Sequence, residues 1–155
     1  MAHRLETAAG PIEVWLPPDA ALQDVDGIAY WSPDPRLGRF TVAPAAGQDG
    51  EALLATERAG GEVEVEADER TERGGRPVRR LRYRVRRHTA REVVLGPSGR
   101  RHEGDEDVED LGDVLLIGEG SQTVRAGYAV RADAPDEMRA NLAAVLERLR
   151  IGSEA

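Results

Sequence analysis

The sequence predicts an α+β fold, a mostly antiparallel β-sheet packed by a long C-terminal helix and one short helix. Three observations predict it. Apolar residues recur at every second position in several short stretches, Ile12, Val14 and Leu16 first among them, and that is the period of a half-buried strand. Two of the clearest stretches meet across Gly74-Gly75, a hairpin signal. Near the C-terminus the period becomes helical, with Met138, Leu142, Val145, Leu146 and Leu149 on one stripe able to cover a sheet face.

Residues 1–10 show no periodicity and are expected to form a loosely held arm, residues 11–151 a single domain and residues 152–155 a tail. A strand over Ile12, Val14 and Leu16 stops at Pro17-Pro18, and a second lies near residues 27–31. Ser32-Pro33-Asp34-Pro35 must be a loop, because each proline removes a donor and keeps its predecessor out of the helical region. Residues 36–44 resume as strand around Phe40 and Val42. Residues 49–59 are good helix formers closed by Gly60-Gly61. Strands at 62–72 and 77–89 follow, with a short one at 93–95. Residues 96–112, whose acidic part runs from Glu103 to Asp110, read as a mobile polar connection. Strands at 114–117 and 123–131 precede the last helix, where Asp133 is placed to cap and Pro135 to occupy the first position.

Composition removes several chemistries. The chain has 155 residues and no cysteine, and all 21 basic residues are arginine. A thiol nucleophile, a cysteine zinc site, a Schiff-base lysine and a P-loop are therefore excluded. The net charge of −8 repels nucleic acid and anionic membranes at long range. No signal-peptide core opens the sequence, and the longest strongly apolar run, Val114 to Ile117, is far short of a membrane span. The expectation is a cytoplasmic protein.

Arginines occupy alternate positions at Arg80, Arg82, Arg84 and Arg86, continued by His88, while Leu81, Tyr83 and Val85 point the other way. The preceding strand alternates Glu62, Glu64, Glu66 and Asp68 with Val63, Val65 and Ala67. Opposing Val65 and Val85 requires partner numbers that sum to 150, which closes the hairpin through a three-residue loop. Glu66 then meets Arg84, Glu64 meets Arg86, Asp68 meets Arg82 and Glu62 meets His88. This predicts a solvent-facing ion-pair ladder rather than a phosphate-binding surface, since few aromatics accompany the arginines.

Other motifs carry less. Gly118-Glu119-Gly120 follows a strand, but Thr123 stands where a dinucleotide fingerprint needs a third glycine and the next residues alternate as strand, so a hairpin turn is expected. The acidic stretch lacks the glycine of a calcium loop, and His3, His88 and His102 are scattered, so neither metal nor cofactor is expected. No serine sits in a nucleophile elbow. Tyr30 and Trp31 lie on opposite faces beside the proline loop, so one of the two should be exposed and able to anchor a partner.

Ile12-Glu13-Val14-Trp15-Leu16-Pro17, then Gly75-Arg76-Pro77 running into Leu81-Arg82-Tyr83, and finally Gly127-Tyr128-Ala129-Val130 with the Ala134-Pro135 turn and a helix closing in Leu149-Arg150-Ile151 resemble the PsbP-like α/β/α family over residues 11–151. Arg150-Ile151 stands in place of that family's usual closing Ser-Phe, and residues 103–113 have no obvious counterpart in it. The resemblance implies a curved antiparallel sheet between helices. It also implies a non-enzymatic role, since members include photosystem assembly proteins, a regulator of a nuclear transport GTPase and chaperones of type VI secretion effectors. It transfers no catalytic residue.

The expected function is a protein-binding domain, an adaptor, chaperone-like or immunity-type protein, acting through an exposed sheet surface or the Trp31 loop. The candidate partner-binding residues are Tyr30, Trp31, Arg80, Arg82, Arg84 and Arg86. The expected partner is a protein, with no membrane or nucleic acid and a homodimer left open. The alternatives are a ligand or enzymatic pocket between sheet and helix, and phosphate binding along Arg80 to Arg87.

Overall fold

A computed structural model describes the backbone of residues 2–95 and 100–152 and the side chains of residues 2–88 and 107–152. The expected tail at 152–155 thus lies almost wholly outside the described residues. Among the described residues ten strands and two α-helices follow in the order β1 (Ala2–Thr7), β2 (Gly10–Trp15), β3 (Gln23–Val25), β4 (Ile28–Trp31), β5 (Gly38–Pro44), α1 (Gly50–Gly60), β6 (Glu62–Arg73), β7 (Arg76–Leu95), β8 (Arg100–Ile117), β9 (Val124–Arg131), α2 (Asp136–Glu147) and β10 (Arg150–Ile151). Strands β3-β4-β5-β9-β8-β7-β6 form one antiparallel sheet, and β1-β2-β10 form a small second one. Among the described residues no helix is long and apolar enough to cross a membrane.

The large sheet has a core on each face. On one face α2 and the small sheet lie over it, and Ile12, Val14, Phe40, Leu115, Ile117, Val124, Leu142, Leu149 and Ile151 are buried together there. Each such side chain stabilises the fold by roughly 1.5–3 kcal/mol over exposure. On the opposite face Leu53 and Leu54 of α1 cover Leu81, Tyr83, Val85, Val114 and Leu116. Helix α1 starts where Asp49 accepts a hydrogen bond from the Ala52 amide at 2.8 Å, and Glu51 in its first turn suits the positive end of the dipole.

Several expectations give way. Within the arm expected at 1–10, Ala2–Thr7 is strand β1, paired along its length with β2 and turned by Thr7, whose hydroxyl donates to the Gly10 carbonyl at 2.6 Å. Its alternation is hidden because Leu5 is its one large apolar residue, so the free edge of β2 organises it. Asp133 does not cap α2: Pro135 holds the cap position without a side-chain bond, and Asp133 pairs with Arg131 at 3.2 Å. Residues Leu149-Arg150-Ile151 do not close the helix, which ends at Glu147, and Arg150 and Ile151 pair with β2 as β10.

The β6–β7 hairpin closes through a two-residue turn instead of a three-residue loop. Gly74 and Gly75 have φ of 56° and 77°, the pair of positive values that a tight hairpin turn requires. Partner numbers therefore begin at Arg73↔Arg76, and a β-bulge between Val65 and Ala67 shifts the register so that Val65 opposes Tyr83 and Val63 opposes Val85. The bulge reconciles a two-residue turn with apolar residues on the α1 side.

The acidic segment 103–113 is paired strand, not a loose connection. Strand β8 runs antiparallel to β7 from Val78↔Ile117 to Leu95↔Arg100, so residues 93–95 are the end of β7 rather than a separate strand. Arg82 faces Asp113, Arg86 faces Glu109 and His88 faces Asp107. Opposite charges across the pair offset the poor strand propensity of aspartate and glycine.

Candidate functional site

The arginine ladder lies on the α2 side of β7, and its carboxylates come mainly from β8 instead of β6. Arg80 donates from Nε and Nη2 to Asp113 at 2.9 and 2.7 Å, and from Nη2 to Glu147 of α2 at 3.0 Å. Arg82 reaches the same Asp113 at 3.3 Å. Arg84 pairs with Glu66, as expected, and donates to Glu109 at 2.8 Å. The expected pairs Glu64–Arg86, Asp68–Arg82 and Glu62–His88 are replaced: Asp68 takes Arg79 at 2.7 Å, His88 takes Asp107 at 2.7 Å, and Arg86 has no carboxylate partner among the described residues. Hydrogen bonds to Asp113 hold the Arg80 guanidinium further above its already high ordinary pKa, and bonds to Glu109 and Glu66 do the same for Arg84. The charge of Arg80, Arg82 and Arg84 is taken up by the protein's own acids.

Asp113 is the residue that sequence reasoning missed. It is 5% exposed, on the same face as Leu115 and Ile117, and it joins β8, β7 and α2 through Arg80. The signal was an acid in step with an apolar alternation, obscured because residues up to 112 read as a loop.

On the other face Arg79 binds Asp68 and Glu51, and Arg87 binds Glu57 and Asp110, so α1 is clamped to the sheet at both ends. The Arg79 bond holds the Asp68 carboxyl below its ordinary value. Burial pushes the Tyr83 phenol up to about 12, with the charge of Glu57 adding to it.

Neither Tyr30 nor Trp31 is fully exposed. Trp31 opposes Phe40 and packs partly buried against the α2-side core, because β4 presents its odd positions to that core. Tyr30 opposes Thr41 on the other side and donates to Gln23 at 2.7 Å, half-buried.

Tyr30 belongs to a surface the sequence did not outline. Registers place Val25, Ile28, Tyr30, Arg39, Thr41, Arg125, Gly127 and Ala129 on the face that carries α1. Helix α1 packs over β6 and β7, and on the part built from β3, β4, β5 and β9 Val25, Ile28, Arg39 and Ala129 stay exposed while Ala43 and Gly127 are buried. Val25 is 51% and Ile28 40% exposed, two of the three exposed large apolar side chains described. Arg39 and Arg125 stand on this half-face without a carboxylate partner among the described residues. Strands β4, β5 and β9 contain no aspartate or glutamate, in a chain with 29 acids.

The space between α2 and the sheet is filled by the core. Clefts lie elsewhere, among them one of about 510 Å³ between the start of α1 and the Gly118–Gly120 turn, one of about 670 Å³ beside Gly61, Arg86 and His88, and a smaller one of about 200 Å³ between Leu5–Ala8 and Ala29, Val42 and Val124. The Gly118–Gly120 segment joins β8 to the adjacent β9, the hairpin expected instead of a dinucleotide loop. Among the described residues no group of three or more histidine, aspartate or glutamate side chains is placed to hold a metal.

No family model and no curated protein matches the sequence. Among solved structures, the solution structure of cyanobacterial PsbP (CyanoP) from Synechocystis sp. PCC 6803 superposes with a TM-score of 0.53 at 14% identity, over 97% of this chain and 92% of that one. A crystal structure from Bacteroides thetaiotaomicron is 12% identical, with a TM-score of 0.39 over 97% of this chain and 48% of that one. The chain has the PsbP-like α+β fold that its opening strand, central hairpin and closing strand and helix suggested.

Proposed function

We propose that this chain is a non-enzymatic protein-binding domain that works through the open half of its α1-side sheet face. One observation carries the reading: Val25, Ile28 and Tyr30 lie exposed or half-exposed beside unpaired Arg39 and Arg125, with no acid on β4, β5 or β9 and the one acid of β3, Asp24, in register with Ala29 on the other face. Contiguous apolar surface left in water marks interaction sites, and tyrosine and arginine are enriched among the residues that dominate interface energy. Tyr30 stays in the proposed site. Trp31 contributes from behind by holding β4 on the core, and Arg80, Arg82 and Arg84 serve the fold, with Arg86 on the opposite face of the sheet and outside the proposed site. The finer form of the proposal is a cytoplasmic adaptor, chaperone-like or immunity-type protein, in keeping with a net charge of −8.

The test is affinity capture from the native host with three baits: the unaltered chain, Ile28→Asp combined with Ala129→Asp, and Arg84→Glu. A stoichiometric protein partner is expected with the first and third baits and lost with the second, all three melting as folded proteins. A partner kept by the face variant and lost by Arg84→Glu would overturn the assignment.

A further inference from the structure

Resting on that reading, we propose that the open half-face receives an acidic amphipathic helix of another protein, laid alongside α1. The dimensions favour a helix. Four strands, β9, β5, β4 and β3, leave three spacings of about 4.8 Å uncovered, roughly 14 Å across, which is the room one helix of about 10–12 Å diameter takes up. Strand β9, with 8 residues, spans about 26 Å, the length of a helix of about 17 residues. Helix α1 already occupies the same layer over β6 and β7, so a second helix completes it.

The charges set the partner's sign. Arg39 lies opposite Ala129, and Arg125 is four residues from Ala129 along β9, so the two guanidiniums rise from points about 13 Å apart with the small residues Gly127 and Ala129 and the Thr41 side chain between them. A helix that presents an apolar stripe to Ile28, Tyr30 and Ala129 and carboxylates about two turns apart would meet both arginines. A second copy of this chain fits poorly, because two such faces brought together by a two-fold axis set arginines against arginines. Nucleic acid fits poorly as well, since the chain is acidic overall and Val25 and Ile28 ask for apolar contact.

The experiment places the photo-crosslinking residue p-benzoylphenylalanine at Ala129 and, as controls, at Arg86 on the ladder and at exposed Asn141 on α2, in the full chain within its host, and identifies the joined peptides by mass spectrometry. The expected product at Ala129 joins an acidic segment of one other protein. A synthetic peptide of that segment should become helical on binding, lose affinity as salt rises, and bind Arg39→Glu/Arg125→Glu at least about tenfold more weakly. The neutral pair Arg39→Gln/Arg125→Gln should fall between and replaces the reversal if that variant does not fold. A neutral, basic or extended segment joined at Ala129 overturns the helix inference and leaves the binding face standing. A second copy or nucleic acid joined there overturns the inference and its partner class together. Products at Arg86 or Asn141 but none at Ala129, or none at any position, overturn both the inference and the reading beneath it.

Discussion

Replacing Asp113 should be the most damaging single change on the polar side of the sheet. Its side chain is 7% exposed and bonds two arginines, Arg80 at 24% exposure and Arg82 at 50%. Removing one member of a fully buried pair costs about 3–5 kcal/mol, because the other charge is left without compensation. Here Arg80 keeps its bond to Glu147 and Arg82 is half in water, so Asp113→Leu should cost about 2–3 kcal/mol. In a chain of this size that lowers the melting temperature by roughly 5–10 °C. Arg80→Met together with Asp113→Leu should recover much of the loss, giving a coupling energy of about 2 kcal/mol in a double-mutant cycle read by urea unfolding. The exposed pair Arg84–Glu66, at 41% and 40%, should couple by no more than about 1 kcal/mol. Couplings equal within about 0.5 kcal/mol would refute the argument that burial of Asp113 separates the two pairs.

Two further outcomes are expected. Tyr83 ionises at about pH 12 in the folded chain against 10.0 for an ordinary tyrosine, so stability is intact below pH 10 and falls as pH rises to about 12, while the unfolded chain releases its proton first. The loss amounts to roughly 2–3 kcal/mol, and Tyr83→Phe should remove it from alkaline urea titrations. Gly74→Ala should destabilise by at least about 1–3 kcal/mol, since φ is 56° and an added Cβ would lie 2.1 Å from the Ile151 carbonyl oxygen. Gly75→Asn, with φ 77° and nothing within 4 Å, should cost less than Gly74→Ala in thermal melts.

Much of the fold was legible because periodicity records which side of an element is dry. Ile12 and Val14 alternate and are fully buried, and the Met138, Leu142, Val145, Leu146 and Leu149 stripe lies within the core. The hairpin was legible and its register was not, since a bulge at Glu66 allows a two-residue turn and an apolar face that a regular ladder makes incompatible. Acidic β8 was illegible from propensity alone. Asp113 and Glu109 are accommodated opposite Arg82 and Arg86 of β7, and Asp110 opposite Arg131 of β9, a partnership set by pairing across the sheet.

The candidate site divides the same way. Sequence by itself determined that Arg39, Thr41, Arg125 and Ala129 point away from the side holding Phe40, Val42, Ala126 and Val130, because neighbours along a strand must alternate. It also determined that β4, β5 and β9 carry no acid, and that no lysine or cysteine chemistry is available. Only the tertiary structure decided that this second side is open: α1 is short and lands on β6 and β7, where Leu53 and Leu54 bury Leu81, Tyr83 and Val85. A strand's pattern tells which side chains leave the core, but whether another element covers them depends on where that element finds its own apolar partners.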